Sequence, residues 1–288
     1  MELSRLIEIR DAMPMDREYL DIYAMGDAKS SWQTRHDAHH GEEVHDLGMK
    51  SLLPQLEAIF GPLVDEVTRE FILPVALRSH DVGRAIDIDN HDTEGARVMN
   101  DYLGKRGVPH EFKAPVCKLI VHHRSHRVLK TGIYSAAHAI LIIADKCIGD
   151  ERRVREDKAT KLNILRRIGI GSWTLARRNW WFNAAHDRVN FAIKEAKVQV
   201  DVDKNPGHSK PTGEIVLKMT VDEKVASIKE IVSLDWFADS FHACGKAAEF
   251  FGLYFRLEFN GIRYKWTWID KAAGKGAWLP IGTTTIPR

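Results

Sequence analysis

Apolar residues recur at helical spacing along most of the chain as far as about residue 200, and at strand spacing only beyond it. Residues 1–25 read as one or two short amphipathic helices broken near Met13-Pro14, with a polar loop at 26–31. A helical pattern resumes near Trp32 and continues through 49–60 and 64–79, interrupted at Gly61-Pro62. An acidic loop at 87–92 precedes a helix for which Asp92 or Thr93 is a suitable N-cap, and Gly104 and Gly107-Val108-Pro109 end it. Further helices are expected at 112–122 and 135–146, the second almost wholly apolar and therefore central to a core. Beyond these the pattern predicts a helix near 156–167, a break at Gly169-Ile170-Gly171 and a long helix over 174–198.

The Pro, Gly and polar residues of 203–212 read as a linker. After it, 214–221 alternates like a strand, and 222–252 is helical with a break at Leu234-Asp235. Two alternating runs, 254–259 and 262–268, meet at Asn260-Gly261, a strong hairpin signal. The fold expected is mainly α: a helical domain over 1–202, with its core at about 30–150, followed by a small α+β domain over 213–288.

Composition changes this picture little. With 44% hydrophobic and 28% charged residues in 288, the chain is that of an ordinary globular protein. It has no apolar run long enough to span a bilayer, and Met1-Glu2-Leu3-Ser4-Arg5 does not open like a signal peptide, so a cytoplasmic protein is expected. Three widely spaced cysteines without a Cys-x-x-Cys pair suit buried thiols in a reducing compartment. The formal net charge of +2 conceals a basic segment, 146–200, where thirteen Lys or Arg stand against six Asp or Glu. That segment could hold nucleic acid or another anion, or be the solvated face of two helices. Trp173, Trp180 and Trp181 read as packing residues rather than a base-stacking platform.

The chemistry concentrates in the histidines. There are fourteen, most of them in the first half. An apolar helix delivers Arg78-Ser79-His80-Asp81-Val82-Gly83-Arg84, and His80 with Asp81 offers the mixed N and O donors that suit a divalent cation. His40 shares a helical face with Val44 and Leu47 and so points inward. Asp145 is the only acid in the apolar run, and burying it costs on the order of several kcal/mol unless a cation pairs with it. His91 and one of His122 and His123 complete the candidate ligands. The alternatives are a buried His80–Asp81 hydrogen bond capping two helices, His36 or His39 in place of His40, and an exposed loop position for His91. His45, His126, His138 and His186 are read as structural.

In this order, His40 with Val44, then His80-Asp81-Val82-Gly83-Arg84, His91 with Gly95-Ala96, His122-His123 and Ala144-Asp145-Lys146, the chain resembles the HD-domain superfamily of metal-dependent phosphohydrolases over roughly residues 30 to 150. The tail around Cys244 to Gly261 is similar to that of uncharacterised proteins carrying such a domain, which implies no activity. The main resemblance implies a helical bundle in which His40, His80, Asp81 and Asp145 bind a first metal. Asp81 would bridge to a second, held by His91 with His122 or His123. The cofactors implied are one or two divalent ions of Mn, Fe, Co or Zn. Two departures stand out: the interval from Asp81 to His91 is shorter than in many two-metal members, and Arg84 replaces a common Lys.

The function implied is hydrolysis of a phosphate ester, on a nucleotide or another phosphorylated small molecule, by metal-activated water. Asp81 would hold metal and orient the nucleophile, Arg84 would offset phosphoryl charge, and His123, Glu42 or Glu43 would protonate the leaving oxygen. The alternatives are a di-iron oxygenase of the same superfamily and a non-catalytic regulatory protein binding RNA or a nucleotide. Cyclic-dinucleotide chemistry is disfavoured, since His122-His123 continues as Arg124-Ser125-His126 without that subfamily's Gly-Tyr-Pro extension. A homo-oligomer is compatible with the sequence and no membrane partner is expected.

Overall fold

The computed structural model describes residues 1–168, 184–203, 212–271 and 275–282. The chain divides into two compact units, Met1–Ile148 and Gly149–Arg288. It is mainly α, with a C-terminal α+β part.

The first unit begins with α1 (Leu3–Ala12), a tight turn at Met13–Met15 that accommodates Pro14, and α2 (Arg17–Lys29), whose N-cap Asp16 accepts from the Tyr19 amide. Helix α2 runs through the expected loop as far as Lys29, and the Ser30 hydroxyl bonds back to the Gly26 carbonyl at 2.9 Å. The next helix starts at Ala38 rather than near Trp32, because Asp37 caps it by accepting from the His40 amide. It comprises α3 (Ala38–Asp46), a wide π-type turn (Leu47–Leu52) and α4 (Leu53–Phe60). A second π-type turn (Thr68–Ile72) leads into α5 (Leu73–Ser79). Each wide turn ends two residues before a proline, Pro54 or Pro74, which lacks an amide hydrogen and crowds the carbonyl four residues back.

Every residue of α5 is buried. Its end is clamped from two sides. The hydroxyls of Tyr19 and Tyr23 both donate to the Arg78 carbonyl, at 2.8 and 2.5 Å, while Gly41 of α3 approaches that oxygen so closely that a Cβ would lie 2.4 Å from it. The two tyrosines satisfy a carbonyl left over at the helix terminus. After a short turn at Val82–Ala85 come α6 (His91–Lys105), α7 (His110–Val121), α8 (Ser125–Thr131) and α9 (Ala136–Lys146). Residues 136–144 of α9 are all buried, as the apolar run predicts.

The second unit contains α10 (Glu156–Ile168), α11 (Ala184–Ala192), α12 (Ile228–Val232) and α13 (Asp235–Phe250). With them is a sheet of β1 (Ile193–Asp203), β2 (Thr212–Val221), β3 (Tyr254–Phe259), β4 (Ile262–Asp270) and β5 (Lys275–Pro280), in that spatial order. Neighbours are antiparallel except β2 and β3, which are parallel and joined through α12 and α13. Asn260 and Gly261 both have positive φ, +49° and +85°, as the tight β3–β4 turn requires.

Two expectations are corrected here. Residues 193–203 form a strand, so 193–198 are not the end of the helix expected over 174–198: Val198 and Leu217 face each other across an antiparallel ladder that alternation of Val198, Val200 and Val202 supports. The expected domain division at 203–212 falls inside the second unit, between two strands that pair along their length. Residues 169–183, with the expected Gly169-Ile170-Gly171 break and the three tryptophans, and 204–211 of the expected linker lie outside the described residues. Several cations of the basic segment have carboxylate partners: Lys158 with Asp187 at 3.0 Å, Arg188 with Glu230, and Lys194 with Glu151 at 2.6 Å. Among the described residues no helix is long and apolar enough to cross a membrane. All three cysteines are free, and Cys147 and Cys244 are buried.

Candidate metal centre

Helix ends bring six side chains of the first unit together. His40 comes from the first turn of α3, His80 and Asp81 from the residues just past α5, and His91 from the first position of α6. His123 lies two residues beyond α7, and Asp145 in the last turn of α9. His40, His80 and His123 are at most 1% exposed. Donor atoms of His40, His80 and Asp145 lie within 4.8 Å of one another, and so do those of Asp81, His91 and His123.

Asp81 links the two groups. Its Oδ2 lies 3.5 Å from His80 Nε2, while Oδ1 lies 3.3 Å from His91 Nε2 and 3.8 Å from His123 Nε2. His80 Nε2 is also 3.4 Å from Asp145 Oδ1. Two ligands at about 2.1 Å from a common ion are separated by about 3.0 Å at an octahedral edge and about 3.4 Å at a tetrahedral one. The spacing therefore suits shared coordination.

Backbone carbonyls decide which imidazole nitrogen faces inward. His80 Nδ1 is 2.9 Å from the Leu77 carbonyl, His91 Nδ1 2.7 Å from that of Ile88, and His123 Nδ1 2.6 Å from that of Ile120. A carbonyl only accepts, so each Nδ1 carries a hydrogen and each Nε2 faces the centre, as a bare lone pair on the neutral rings of His91 and His123. His91 Nε2 and His123 Nε2 stand 3.2 Å apart. Burial lowers the pKa of His91, and burial with the His91 charge brings His123 down to about 3, so neither ring supplies a proton between them near neutral pH. Two lone pairs facing at that distance repel unless a cation lies between. Among the described residues His80 Nε2 is buried without a hydrogen bond.

The same charges act on the remaining groups. Burial lowers the pKa of His80, but Asp81 and Asp145 outweigh it and raise the group to about 10. Burial raises Asp81 and Asp145, yet His80 and Arg84 hold Asp81 well below the usual carboxylate range, and Lys146 and His80 do the same for Asp145. Without an ion, a proton on His80 offsets part of the charge of the two carboxylates. A divalent cation would replace it.

Comparison with protein-family models, with curated proteins and with solved structures finds no match to this chain. The residues themselves therefore carry the functional argument.

Of the paired histidines, only His123 reaches the centre. His122 turns away: its ring lies 5.5 Å from Tyr134 and 6.2 Å from His138, because consecutive residues at a helix end point about 100° apart. His123 is also corrected as an acid, since one nitrogen is committed to Ile120 and the other faces the cluster. Glu42 accepts from Arg78 at 2.8 Å, and Glu43 lies 3.6 Å from His39, so both have partners away from the six residues. Arg84 is 5% exposed and donates to Gln33, with its Nε unpartnered among the described residues.

His36 stacks edge-on to His40 and its charge bears on Asp81, while its Nδ1 is 2.6 Å from the Thr34 carbonyl. Glu42, His45 and Asp46 form a third group of donors, but Arg78 and Lys50 already pair with its carboxylates. The sequence reading missed the three carbonyl anchors and Gln33. A common three-residue step, 77–80, 88–91 and 120–123, is the only trace the anchors leave; Gln33 leaves none.

Proposed function

We propose that this chain is a metal-dependent phosphohydrolase of the HD-domain type, acting on a phosphate ester of a nucleotide or another phosphorylated small molecule. The observation that carries the reading is the opposed pair of bare nitrogens, His91 Nε2 and His123 Nε2, at 3.2 Å beside the shared carboxylate of Asp81. It supports a place for a second ion next to the one that His40, His80 and Asp145 would hold. Bound divalent cations supply a water of lowered pKa and polarise a phosphoryl oxygen.

The chain's own residues do the rest. Asp81 keeps the two groups in register through its separate oxygens. The buried guanidinium of Arg84, which donates to Gln33, can meet two phosphoryl oxygens as a fork where a lysine would meet one. Lys146, 2.6 Å from Asp145 Oδ2, offsets that carboxylate and keeps it ionised as a ligand.

The deciding experiment loads purified protein with Mn2+ or Co2+ and follows inorganic phosphate release from nucleoside monophosphates and p-nitrophenyl phosphate under argon. Turnover that EDTA abolishes and metal restores is expected. Oxygen consumption by Fe2+-loaded protein, without anaerobic phosphate release, would replace hydrolysis by oxygenase chemistry.

Metal uptake should also be pH-dependent with a definite sign. The metal-free protein holds a proton on His80 up to about pH 10, and the ligand form of imidazole is deprotonated. Uptake at pH 7.5 is therefore expected to release about one proton per chain, and affinity to rise about tenfold per pH unit between roughly pH 6.5 and 9. Calorimetry in buffers of different ionisation enthalpy measures this. An affinity flat across that window would refute the protonated His80.

A further inference from the structure

We propose that His138 is a positioning residue for the metal centre: its Nε2–H holds the carbonyl of His122 and thereby fixes the peptide that carries His123. The proposal rests on the metal reading above and concerns only the group formed by Asp81, His91 and His123.

His138 is fully buried on α9, among the apolar residues 136–144. Its amide donates to the N-cap Ser135 hydroxyl at 3.1 Å, and its ring stacks on Tyr134 with centroids 4.3 Å apart. The Nε2 atom lies 3.0 Å from the His122 carbonyl oxygen. Because that partner only accepts, Nε2 carries the hydrogen and Nδ1 is left as a lone pair, buried and without a partner among the described residues. A buried acceptor without a donor opposes folding. An apolar side chain of similar size would fill the same space without that unpaired acceptor, but would also give up the bond to His122. The imidazole contributes one directed bond to one peptide.

That peptide is where the metal site needs control. Helix α7 has ended at Val121, and His122, at φ −98° and ψ 7°, is its cap. The 122–123 peptide is held on its amide side by a long bond, His123 N–H to the Ile120 carbonyl at 3.3 Å. On its carbonyl side His138 holds it at 3.0 Å. Losing the second bond frees the peptide to turn, and any turn swings His123 Nε2 relative to Asp81 and His91. The donors of the other group, His40, His80 and Asp145, come from α3, the end of α5 and α9 and not from this peptide.

The test is equilibrium dialysis against Co2+, with ions counted per chain and d–d absorption recorded, for wild type, His138→Leu, His138→Gln, His138→Asn and His122→Ala. Glutamine can place an N–H near the Nε2 position, whereas asparagine reaches only to that of Nδ1. His138→Leu and His138→Asn are expected to bind one of two ions about 10- to 100-fold more weakly. His138→Gln and His122→Ala, which keep the bond or the carbonyl, should hold two. Affinity for the other ion should stay at the wild-type value in both weakened variants, which a general loss of structure would not allow.

Two ions at wild-type affinity in His138→Leu would overturn the proposal. Should that variant not fold, equal binding by the Asn and Gln variants would overturn it. Fewer than two ions in the wild type would instead defeat the two-ion reading, and this proposal with it.

Discussion

Asp81→Asn is expected to lose both metal ions and to lower metal-dependent phosphate release by on the order of 10³-fold or more, equivalent to about 4 kcal/mol of transition-state stabilisation. No other ligand residue should have so broad an effect. Asp81 alone spans the two groups, with Oδ2 toward His80 and Oδ1 toward His91 and His123. An asparagine keeps the shape and one acceptor oxygen, but brings an NH2 that repels a cation and removes the negative charge on which the proposed binding of both ions rests. His123→Ala, by contrast, should cost one ion and leave the other.

The same substitution has a second signature. Asp81 contributes the largest electrostatic rise to the pKa of His80, so Asp81→Asn should move that group down, toward its ordinary range. The one-proton release on metal uptake should shrink together with the affinity. Retention of two ions at wild-type affinity in Asp81→Asn would show that the carboxylate does not bridge. Metal content by elemental analysis, beside the rate, separates that result from a mere loss of turnover.

How much of this centre is legible in the sequence depends on which force places each residue. His40, His80, Asp81 and Asp145 were legible because apolar periodicity positions them: a polar donor at the buried end of an apolar helix has few other reasons to be there. His122 and His123 could not be separated, because the choice turns on whether α7 stops at Val121 or one residue later, and helix ends are set by local competition for carbonyls. His138 reads as structural in the sequence, although it is the one polar side chain in residues 136–144. The sequence signal was present; what was missing was its partner, a backbone carbonyl that any residue type could provide.

In the second unit the errors have another cause. Lys194, Glu195, Ala196 and Lys197 favour a helix locally, but pairing with β2 overrides that preference, and the alternation of Val198, Val200 and Val202 was the better guide. The Pro, Gly and polar residues of 204–211 fall between two paired strands of one unit, and their composition is also that of a linker between domains. Composition alone could not tell the two cases apart.

The short interval from Asp81 to His91, which set this chain apart from many two-metal proteins of the family it resembles, is closed by a contact between bare backbones, and that contact gives the largest expected effect on stability. A Cβ on Gly83 would lie 2.0 Å from the His91 carbonyl oxygen, 2.3 Å from the Gly95 amide nitrogen and 2.8 Å from the Gly95 Cα. All three atoms are main chain, so no side-chain rotation relieves the overlap. Gly83→Ala should therefore destabilise the first unit by about 4 kcal/mol or more, the range reserved for forced backbone movement, and lower its Tm by roughly 10 °C. Gly245→Ala is the matching control. It sits inside α13 with nothing within 4 Å of its added methyl, where alanine is favoured over glycine by about 0.5–1 kcal/mol, so the same substitution should there be neutral or stabilising. Differential scanning calorimetry of the metal-free proteins reads both. If Gly83→Ala melts with the wild type, the turn after Asp81 does not rest on the first turn of α6, and the way this chain brings His91 to Asp81 across so few residues would have to be sought elsewhere.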